Sequence, residues 1–473
     1  MQRRDFLKAG GVTGAALAFP SIVKAAGGDQ KIRMGFIGVG NRGTQVLHLF
    51  MNFPDVEVTA LCDIYEPYLN RSEKDFDPKF LEWGLKGRLP VFRRKDGALH
   101  PHEQTILDRV AAGSCRLYRD YRKLLEDRNV DAVYIATPDH WHAIMTIDAI
   151  RAGKDVYCEK PLTATVHEGR RMVACAAEHR RVCCTGLNRR GCVPYQLLKK
   201  EIDSGRYGTF RVGRAARCSS IFPNGLGRCA PCEPPKGMDW DAWLGPRAYR
   251  PYKYTTAPYF FRWHPDFSSQ VGNWGVHYLD AMRWMMGESA PCAVTAVGAK
   301  YFTPESDSEI PDTMVCTYEF ASGKMLEFNV FEGGFSRPVF RRELELSSGD
   351  AVVYAGQGGW DIQPVRHREF NNGAAPAFEA KTYEYKEALL DDGSAASSTN
   401  NVIRDFLDRV KDRGTCLCSL EEGHRSTTFA HLANIAYRMG RRLEWDPTAE
   451  KFTNCPEANE LLHYDYRAGY ALG

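Results

Sequence analysis

The feature that most constrains the fold is a glycine-rich run near the start of the chain, GFIGVGNRG at residues 35–43. An apolar run precedes it, and the residues after it repeat apolar side chains at helical spacing, which predicts a buried strand, a tight turn and a helix. A second apolar run, VEVTALC, ends next to Asp63, twenty residues beyond Gly43. This order predicts two parallel strands joined by a right-handed helical crossover.

A glycine turn in this setting is typical of the dinucleotide-binding Rossmann fold, although glycines alone would also suit an ordinary βα turn. Gly38 would permit the tight turn, Gly40 would let the backbone approach a pyrophosphate, and Gly43 would let the helix lie close to the strand. Free N–H groups at the helix start would bind the phosphates. Asp63 would accept hydrogen bonds from the adenosine ribose, which favours NAD over NADP. The predicted cofactor contacts in this region are Gly38, Gly40, Asn41, Arg42, Gly43 and Asp63.

Strands and helices continue to alternate further along the chain. Residues 131–143 predict a buried strand that runs into a Thr-Pro turn, residues 143–153 predict a helix, and residues 154–161 predict the next strand. Ligands of such parallel sheets bind at the carboxyl ends of the strands. The predicted cofactor contacts at these ends are Thr137, Pro138, His142, Glu159, Lys160 and Asn188. The polar stretch at residues 70–115 is predicted to be an insertion.

The first 25 residues predict a twin-arginine export signal and not part of the fold. Arg3 and Arg4 precede a short, weakly apolar stretch that ends in small residues. A permanent N-terminal anchor is the alternative. Because this route generally carries folded proteins, we expect a periplasmic protein that loads NAD in the cytoplasm and holds it tightly.

The remaining composition describes a soluble globular protein with room for two domains. Four basic residues and one acidic residue in the signal account for the formal net charge of +3, so the mature chain is near neutral. Nothing in this charge predicts binding to nucleic acid or to an anionic membrane, and no later segment is apolar enough to span a bilayer. Cys229 and Cys232 have the spacing of a redox or metal pair. With no other ligand cluster nearby, a local disulfide or two free thiols are favoured over zinc.

The glycine turn, Asp63, ATPDHWH at 136–142 and CEKPLT at 158–163 together resemble the Gfo/Idh/MocA oxidoreductases, which are NAD(P)-dependent enzymes acting on sugars and cyclitols. The resemblance extends over essentially the whole mature chain. It implies an α/β protein with a Rossmann domain at residues 30–162 and a second α/β domain at residues 163–473. The second domain would contain a large, mostly antiparallel sheet, and the protein would form a homodimer or homotetramer.

The triplet Glu159-Lys160-Pro161 is where the chemistry is expected. Hydride transfer from a carbinol needs a nicotinamide, a base for the hydroxyl proton and a charge that stabilises the developing alkoxide. Lys160 could supply the charge and a hydrogen bond, whereas Glu159 is expected to orient Lys160 or the nicotinamide ribose. The resemblance also implies a cis bond between Lys160 and Pro161.

The resemblance implies His277 as the base. In the family, a helix entering the site carries Asp and His four residues apart, on one face. Here Asn273 stands at the Asp position. Asn keeps the hydrogen-bond geometry but has no charge, so it should not raise the pKa of His277 as a carboxylate would. A different base, a specialised substrate, or weak or lost dehydrogenase activity are the alternatives, and Asp280 is expected to be a packing or supporting acid.

Other residues are predicted to surround the substrate or to pack nearby. Asn188, Arg189 and Arg190 follow a strand and are expected to line the cleft, and aromatic faces stack on sugar rings, so Trp263 and Trp274 are candidate platforms. Core packing is an equal alternative for both tryptophans. His140 and His142 have no third ligand, so no metal is predicted. The predicted catalytic residues are Lys160, His277 and Asn273, and the predicted substrate contacts are Asn188, Arg189, Trp263, Trp274 and His277.

Three functions compete at this point. The first is an NAD-dependent dehydrogenase that oxidises or reduces a ring hydroxyl or ketone of a sugar, glycoside or cyclitol. The second is a redox-neutral glycosidase or lyase that acts through a transient keto-sugar. Retained NAD suits it, but the family's NAD-dependent glycosidases lack this Glu-Lys-Pro triplet. The third is a sugar-binding or scaffold protein without catalysis, which Asn273 favours and Lys160 and His277 oppose.

Overall fold

The computed structural model describes residues 31–221, 223–333, 341–365, 376–386 and 396–472. The predicted export signal at residues 1–25 lies outside these ranges. Within them the chain forms two sheets, each covered by helices. No helix in the described part of the chain combines the length and apolar character needed to cross a membrane. The cysteines are free thiols, Cys229 and Cys232 among them.

The first sheet is parallel throughout and has the Rossmann arrangement that the glycine turn predicts. Its described strands run in the order β3-β2-β1-β4-β5-β6, so the chain order reverses between β1 and β4. Strands β4 and β5 are buried along their whole length, as expected where helices cover both faces of a parallel sheet. The strands are β1 (Ile32–Ile37), β2 (Val56–Cys62), β3 (Arg116–Tyr118), β4 (Ala132–Ile135), β5 (Asp155–Cys158) and β6 (Cys183–Thr185).

The second sheet confirms the predicted large, mostly antiparallel architecture. Among the described residues its order is β14-β13-β12-β11-β7-β10-β9-β8-β15-β16, and only β7 and β10 pair in parallel. The strands are β7 (Val212–Cys218), β8 (Ala293–Ala299), β9 (Thr313–Glu319), β10 (Met325–Phe331), β11 (Leu344–Ser347), β12 (Ala351–Gly356), β13 (Gly359–Pro364), β14 (Lys381–Glu384), β15 (Leu443–Asp446) and β16 (Lys451–Phe452).

Helices cover both sheets and connect them. They are α1 (Asn41–Phe50), α2 (Glu66–Leu69), α3 (Lys79–Glu82), α4 (Pro101–Ala111), α5 (Tyr121–Glu126), α6 (Asp139–Arg151), α7 (Val166–His179), α8 (Asn188–Gly191), α9 (Val193–Asp203), α10 (Trp240–Leu244), α11 (Val276–Met286), α12 (Ala396–Asp412), α13 (Leu420–Met439) and α14 (Pro456–Asn459). Short 3-10 turns occupy Glu73–Asp75, Lys86–Arg88, Phe260–Trp263 and Glu460–Leu462, and a π-helical turn, Val271–Gly275, directly precedes α11.

Local sequence explains where the main helices begin and which faces they bury. A capping box starts α7, because Thr165 and Glu168 each bind the other's backbone N–H. Strand β9 alternates buried and half-exposed residues, since α11 and α13 cover one face of the second sheet. The sequence places the end of the first domain at residue 162, yet the parallel sheet continues through α7 to β6. The chain therefore passes to the second sheet only after Thr185.

Candidate active site

A cleft of about 390 Å³ opens at the carboxyl ends of β1, β2 and β4, at the switch point of the parallel sheet. The glycine turn forms one wall, and aromatic residues from the segment before α11 form the other. Seven of the predicted cofactor contacts line it: Gly38, Gly40, Asn41, Arg42, Asp63, Thr137 and Pro138. The other five predicted contacts do not line this cleft: Gly43, which packs the turn, and His142, Glu159, Lys160 and Asn188.

The glycine turn has the shape that a dinucleotide requires. Gly38 adopts a φ of 82°, in the left-handed region that favours glycine. A Cβ on Gly43 would lie 1.9 Å from the Gly38 carbonyl oxygen, so only glycine lets α1 start this close to β1. Gly40 caps α1 without a side-chain hydrogen bond, which leaves the first N–H groups of the helix to a ligand. The chain's own residues therefore fit a dinucleotide pyrophosphate.

Asp63 follows β2 directly and is held by backbone N–H groups. Its Oδ2 accepts from Val39 and its Oδ1 accepts from Tyr65, both at 2.9 Å. Burial raises the pKa of Asp63 to about 6, even though these hydrogen bonds favour the ionised form. The carboxylate is therefore mostly ionised at neutral pH and fixed at the edge of the cleft. Its free lone pairs can accept hydrogen bonds from ribose hydroxyls.

Glu159, at the end of β5, is the centre of a buried hydrogen-bonded group. Its Oε1 accepts from Arg42 at 2.9 Å and from the Tyr134 hydroxyl at 2.8 Å. Burial alone would raise the pKa of Glu159, but the charges of Arg42 and Lys160 lower it overall. With the Asn188 amide oriented to satisfy both of its ends, its oxygen accepts from Arg42 at 3.1 Å. Glu159 thus orients Arg42 and remains an anion beside Lys160.

Lys160 reaches across from the parallel sheet to the helix of the second domain. Its Nζ donates to the Asn273 carbonyl oxygen at 2.8 Å and to Asn273 Oδ1 at 3.1 Å. Burial lowers the pKa of Lys160 to about 8, against the opposing charge of Glu159. The bond between Lys160 and Pro161 is cis, as the resemblance implies. Lys160 is therefore largely protonated at neutral pH, and the acceptors of its ammonium among the described residues are neutral amide oxygens.

His277 lies one turn beyond Asn273, in the first turn of α11. It is buried, and its Nδ1 has no hydrogen-bond partner among the described residues. Burial and the positive charges of Arg189, Lys160 and Arg42 hold the pKa of His277 well below its usual value. The imidazole is therefore neutral, in line with the expectation that Asn273 does not raise its pKa. A neutral ring can accept a proton, although only as a weak base.

The two histidines of the DHWH motif support the cleft from behind. Both ring nitrogens of His142 face carbonyl oxygens, Nδ1 that of Pro161 and Nε2 that of Thr137, each at 2.9 Å. Burial would lower the pKa of His142, but the neighbouring Cys158 and Asp139 raise it to about 10. Carbonyl oxygens only accept, so both contacts fit an imidazolium. His142 thus fixes the two proline turns, while His140 binds the Trp243 carbonyl oxygen at 2.9 Å.

The residues predicted to surround a substrate divide between the site and the core. Arg189 is buried, donates to Glu343 at 2.9 Å and lowers the pKa of His277 by its charge. The ring of Trp274 faces the guanidinium of Arg217, whose central carbon is 3.7 Å from the ring centroid. Trp263 belongs to a small apolar cluster and donates to Glu332 at 2.7 Å, so its contacts are those of core packing.

Arg190 is engaged elsewhere, which corrects the prediction that it lines the cleft. Its guanidinium binds both oxygens of the buried Asp280 and also Glu422. Asp280 additionally accepts from Ser426, so it is a packing acid as expected. This network joins α8 to α11 and α13 and so fixes the position of His277. The buried pair is stable only because each charge has several partners.

Sequence reasoning missed the far wall of the cleft. Residues 237–262, here called the cover segment, cross from the second domain and supply Trp243, Tyr259 and Phe261 to this wall. Backbone hydrogen bonds join the segment to the loop after β2: Glu66 N–H donates to Gly237 at 3.1 Å, and Asp239 N–H donates to Ile64 at 3.3 Å. No local pattern in the cover segment shows what such a loop covers.

Comparison with known families agrees with this architecture. A family profile described as an oxidoreductase family with an NAD-binding Rossmann fold matches residues 92–187. A second profile, described as the C-terminal alpha/beta domain of an oxidoreductase family, matches residues 198–320 and 385–472. A third, the signal sequence of the twin-arginine translocation pathway, matches residues 1–20. The chain therefore carries an export signal of the twin-arginine route.

Individual relatives cover the chain only in part. Over 187 residues it is 30% identical to a glycosyl hydrolase family 109 protein of Saccharopolyspora erythraea, a match that covers 40% of this chain and 35% of the relative. Over 236 residues it is 27% identical to an alpha-N-acetylgalactosaminidase of Shewanella oneidensis, which covers 46% of each. The chain spans less than half the length of these relatives. A solved structure of levoglucosan dehydrogenase with NADH and L-sorbose shares the fold, with a TM-score of 0.59, 16% identity, and 88% and 99% of the two chains covered.

Proposed function

The chain belongs to the Gfo/Idh/MocA family of oxidoreductases, and from that membership we propose that it oxidises or reduces a ring hydroxyl or ketone of a sugar, glycoside or cyclitol with NAD. The observation that carries the proposal is the position of Lys160. Its ammonium lies at a strand end next to the carboxylate of Glu159 and, within the described residues, donates only to the two oxygens of Asn273. A cation held this way can also bind an alcohol or alkoxide oxygen.

The residues proposed to hold NAD are the glycine turn, Asp63, Arg42 and the Thr137–Pro138 turn. NAD, when bound, would supply the hydride acceptor or donor. The carboxylate of Asp63 favours a free ribose 2′-hydroxyl, and therefore NAD over NADP. The cover segment is hydrogen-bonded over the cleft, which supports the proposal that the cofactor is retained and not exchanged.

Lys160 is proposed to stabilise the charge that develops on the reacting oxygen. Since the pKa of Lys160 is about 8, the side chain is protonated at neutral pH and can donate a proton to an alkoxide. His277, as a neutral imidazole on the same helix as Asn273, is proposed to take the hydroxyl proton. Its low pKa makes this transfer unfavourable without Lys160, so the two groups would act together.

Redox-neutral cleavage of a glycoside is the second candidate. The covered cleft favours it, because a retained cofactor must be returned to its starting state after each turnover. Two relatives carry the names of a family 109 glycosyl hydrolase and an alpha-N-acetylgalactosaminidase, which also supports it. Lys160 supports the first candidate, the dehydrogenase, because the family's NAD-dependent glycosidases lack the Glu-Lys-Pro triplet to which it belongs. In either case we expect a periplasmic protein that forms a homodimer or homotetramer.

A single-turnover experiment on the exported protein, purified without added cofactor, separates these candidates. Nicotinamide absorbance and released products would be followed together with a panel of glycosides, free sugars and cyclitols. Stoichiometric NADH with a keto-sugar indicates a dehydrogenase, whereas cleaved glycoside with unchanged absorbance indicates redox-neutral cleavage. Lys160→Met should slow either signal roughly 100- to 1000-fold, and Lys74→Met, which removes an exposed lysine of the same domain, should not. Unchanged hydride transfer in Lys160→Met would refute the assignment.

A further inference from the structure

Two arginines interact with the same tyrosine of the helix that carries His277, and the cofactor does not account for them. Tyr278, the next residue of α11, has the Arg189 guanidinium 5.5 Å from its ring centroid. Arg217, on β7, interacts with the hydroxyl of the same tyrosine and lies over the ring of Trp274. Neither arginine lines the cofactor cleft. They belong to the second domain's side of the site, where a substrate and not the dinucleotide is expected.

The charges in this neighbourhood do not balance. Arg189 is paired with Glu343. Among the described residues, no carboxylate forms an ion pair with Arg217 or with Lys160. The carboxyl group next to Arg217 is that of Glu332, which accepts from Trp263. Burial raises the pKa of Glu332 to about 7, so it is ionised only about half of the time at neutral pH. The carboxyl groups that act on Lys160 are those of Glu159, which is ionised, and Asp139, whose pKa is raised by burial. Arg42 and Arg189 are paired with Glu159 and Glu343, so the charges of Lys160 and Arg217 remain as an excess of positive charge on this side of the neutral His277.

Several buried nitrogens of these side chains also lack partners within the described part of the chain. The Nε of Arg189, the Nε of Arg217 and the Nδ1 of His277 have no hydrogen-bond partner among the described residues. Arg189 is 7% exposed and His277 is 5% exposed, so water has little access to them. Native proteins leave few buried donors unsatisfied. Two guanidinium groups with spare N–H donors fit a planar carboxylate or another oxyanion, because a guanidinium can donate two parallel hydrogen bonds.

We propose that the substrate carries an anionic substituent, a carboxylate or a sulfate ester on the sugar ring, which Arg189 and Arg217 bind while a ring hydroxyl faces Lys160. The inference rests on the proposed function and narrows its substrate class to acidic sugars. Trp274 holds the plane of the Arg217 guanidinium and leaves its N–H edge for the anion. Arg189 stays hydrogen-bonded to Glu343 through its Nη2, and its unpartnered Nε can donate to the anion.

The test is calorimetric binding to the protein as isolated, with methyl galactoside, methyl galacturonoside and methyl galactoside 6-sulfate, and the three glucose counterparts. An acidic glycoside should bind roughly tenfold or more tightly than its neutral counterpart, since charge-assisted hydrogen bonds are the strong ones. The difference should shrink at high ionic strength. The carboxylate and sulfate arms identify which anion is preferred.

Arg217→Gln should remove the preference for the acidic glycoside and leave binding of the neutral one within about twofold, while Arg217→Lys should keep part of it. Arg214→Gln is the matched control: Arg214 lies three residues earlier on β7, on the opposite face, with its side chain 48% exposed. Equal binding of acidic and neutral glycosides by the unmodified protein would overturn the inference. Equal weakening of both by Arg217→Gln would overturn it as well.

Hydride transfer with the same glycosides separates the failure of this inference from that of the proposed function. Reaction with neutral glycosides and no acid preference refutes the anionic subsite alone. No binding and no hydride transfer with any of the six glycosides, or with the wider panel, refutes both.

Discussion

Changing Asn273 to Asp tests the contact on which the proposed chemistry depends. The substitution keeps the size of the side chain and places a carboxylate oxygen where Asn273 Oδ1 lies, 3.1 Å from Lys160 Nζ. It also restores the acid that the family carries four residues before the histidine. The pKa of Lys160 should rise, because a nearby negative charge favours the ammonium form.

Coulomb's law sets the size of the effect. Two unit charges 3.1 Å apart attract by about 5 kcal/mol at an effective dielectric constant of about 20, which equals about four pKa units. Part of this is lost, because the new carboxylate must be buried and replaces an existing hydrogen bond. We therefore expect the pKa of Lys160 to rise from about 8 by roughly two units. The pKa of His277 should also rise.

The assay needs no substrate. Only the neutral amine of a lysine reacts with trace acetic anhydride, so the pH dependence of Lys160 acetylation, measured by peptide mass spectrometry, reports its pKa. Asn70→Asp adds the same charge at an exposed site of the first domain and should leave the Lys160 titration unchanged. An unchanged or lower pKa in Asn273→Asp would show that the Asn273 side chain does not hold the ammonium, and the proposed catalytic arrangement would then be wrong.

Four further predictions concern the site and its cofactor. In Lys160→Met hydride transfer should fall roughly 100- to 1000-fold. Chemical denaturation should show the same variant to be more stable at neutral pH by about 1–2 kcal/mol. The pKa of Lys160 in the folded protein, about 8, lies below the usual 10.5, so the protonated lysine opposes folding below pH 8. The gain in stability should therefore vanish as the pH rises past 10.5. Gly43→Ala should lose its retained NAD, because the new Cβ would lie 1.9 Å from the Gly38 carbonyl oxygen. The control Gly349→Ala, whose Cβ would have nothing within 4 Å, should keep its NAD. Equal retention of NAD by both variants would refute the close approach of α1 to the Gly38 carbonyl. NAD affinity of the stripped protein should fall as pH drops through about 6, the pKa of Asp63, and fluorescence titration of Asp63→Asn should show no such dependence.

The sequence alone was sufficient for the parts of the protein that depend on local patterns. Apolar runs, the glycine spacing and the position of Asp63 predict β1, α1 and β2, because a tight turn against a helix tolerates only glycine and a buried strand needs a continuous apolar run. The motif that ends β5 predicted that Lys160 follows the carboxyl end of a strand of the parallel sheet, which is where the structure has it. The four-residue spacing of Asn273 and His277 predicts a shared helix face; in the structure Asn273 lies in the π-helical turn and His277 in the first turn of α11.

Contacts between distant segments were decided only by the tertiary structure. Lys160 and Asn273 are 113 residues apart, and no periodicity in either segment shows that they meet. The cover segment contributes to the cofactor cleft, and Arg217 and Arg189 both reach Tyr278, only because the two sheets are held in fixed positions by buried helices and ion pairs. Spacing along the chain encodes which side chains share a strand or helix face, whereas the packing of those faces determines which charges meet and therefore what the site can bind.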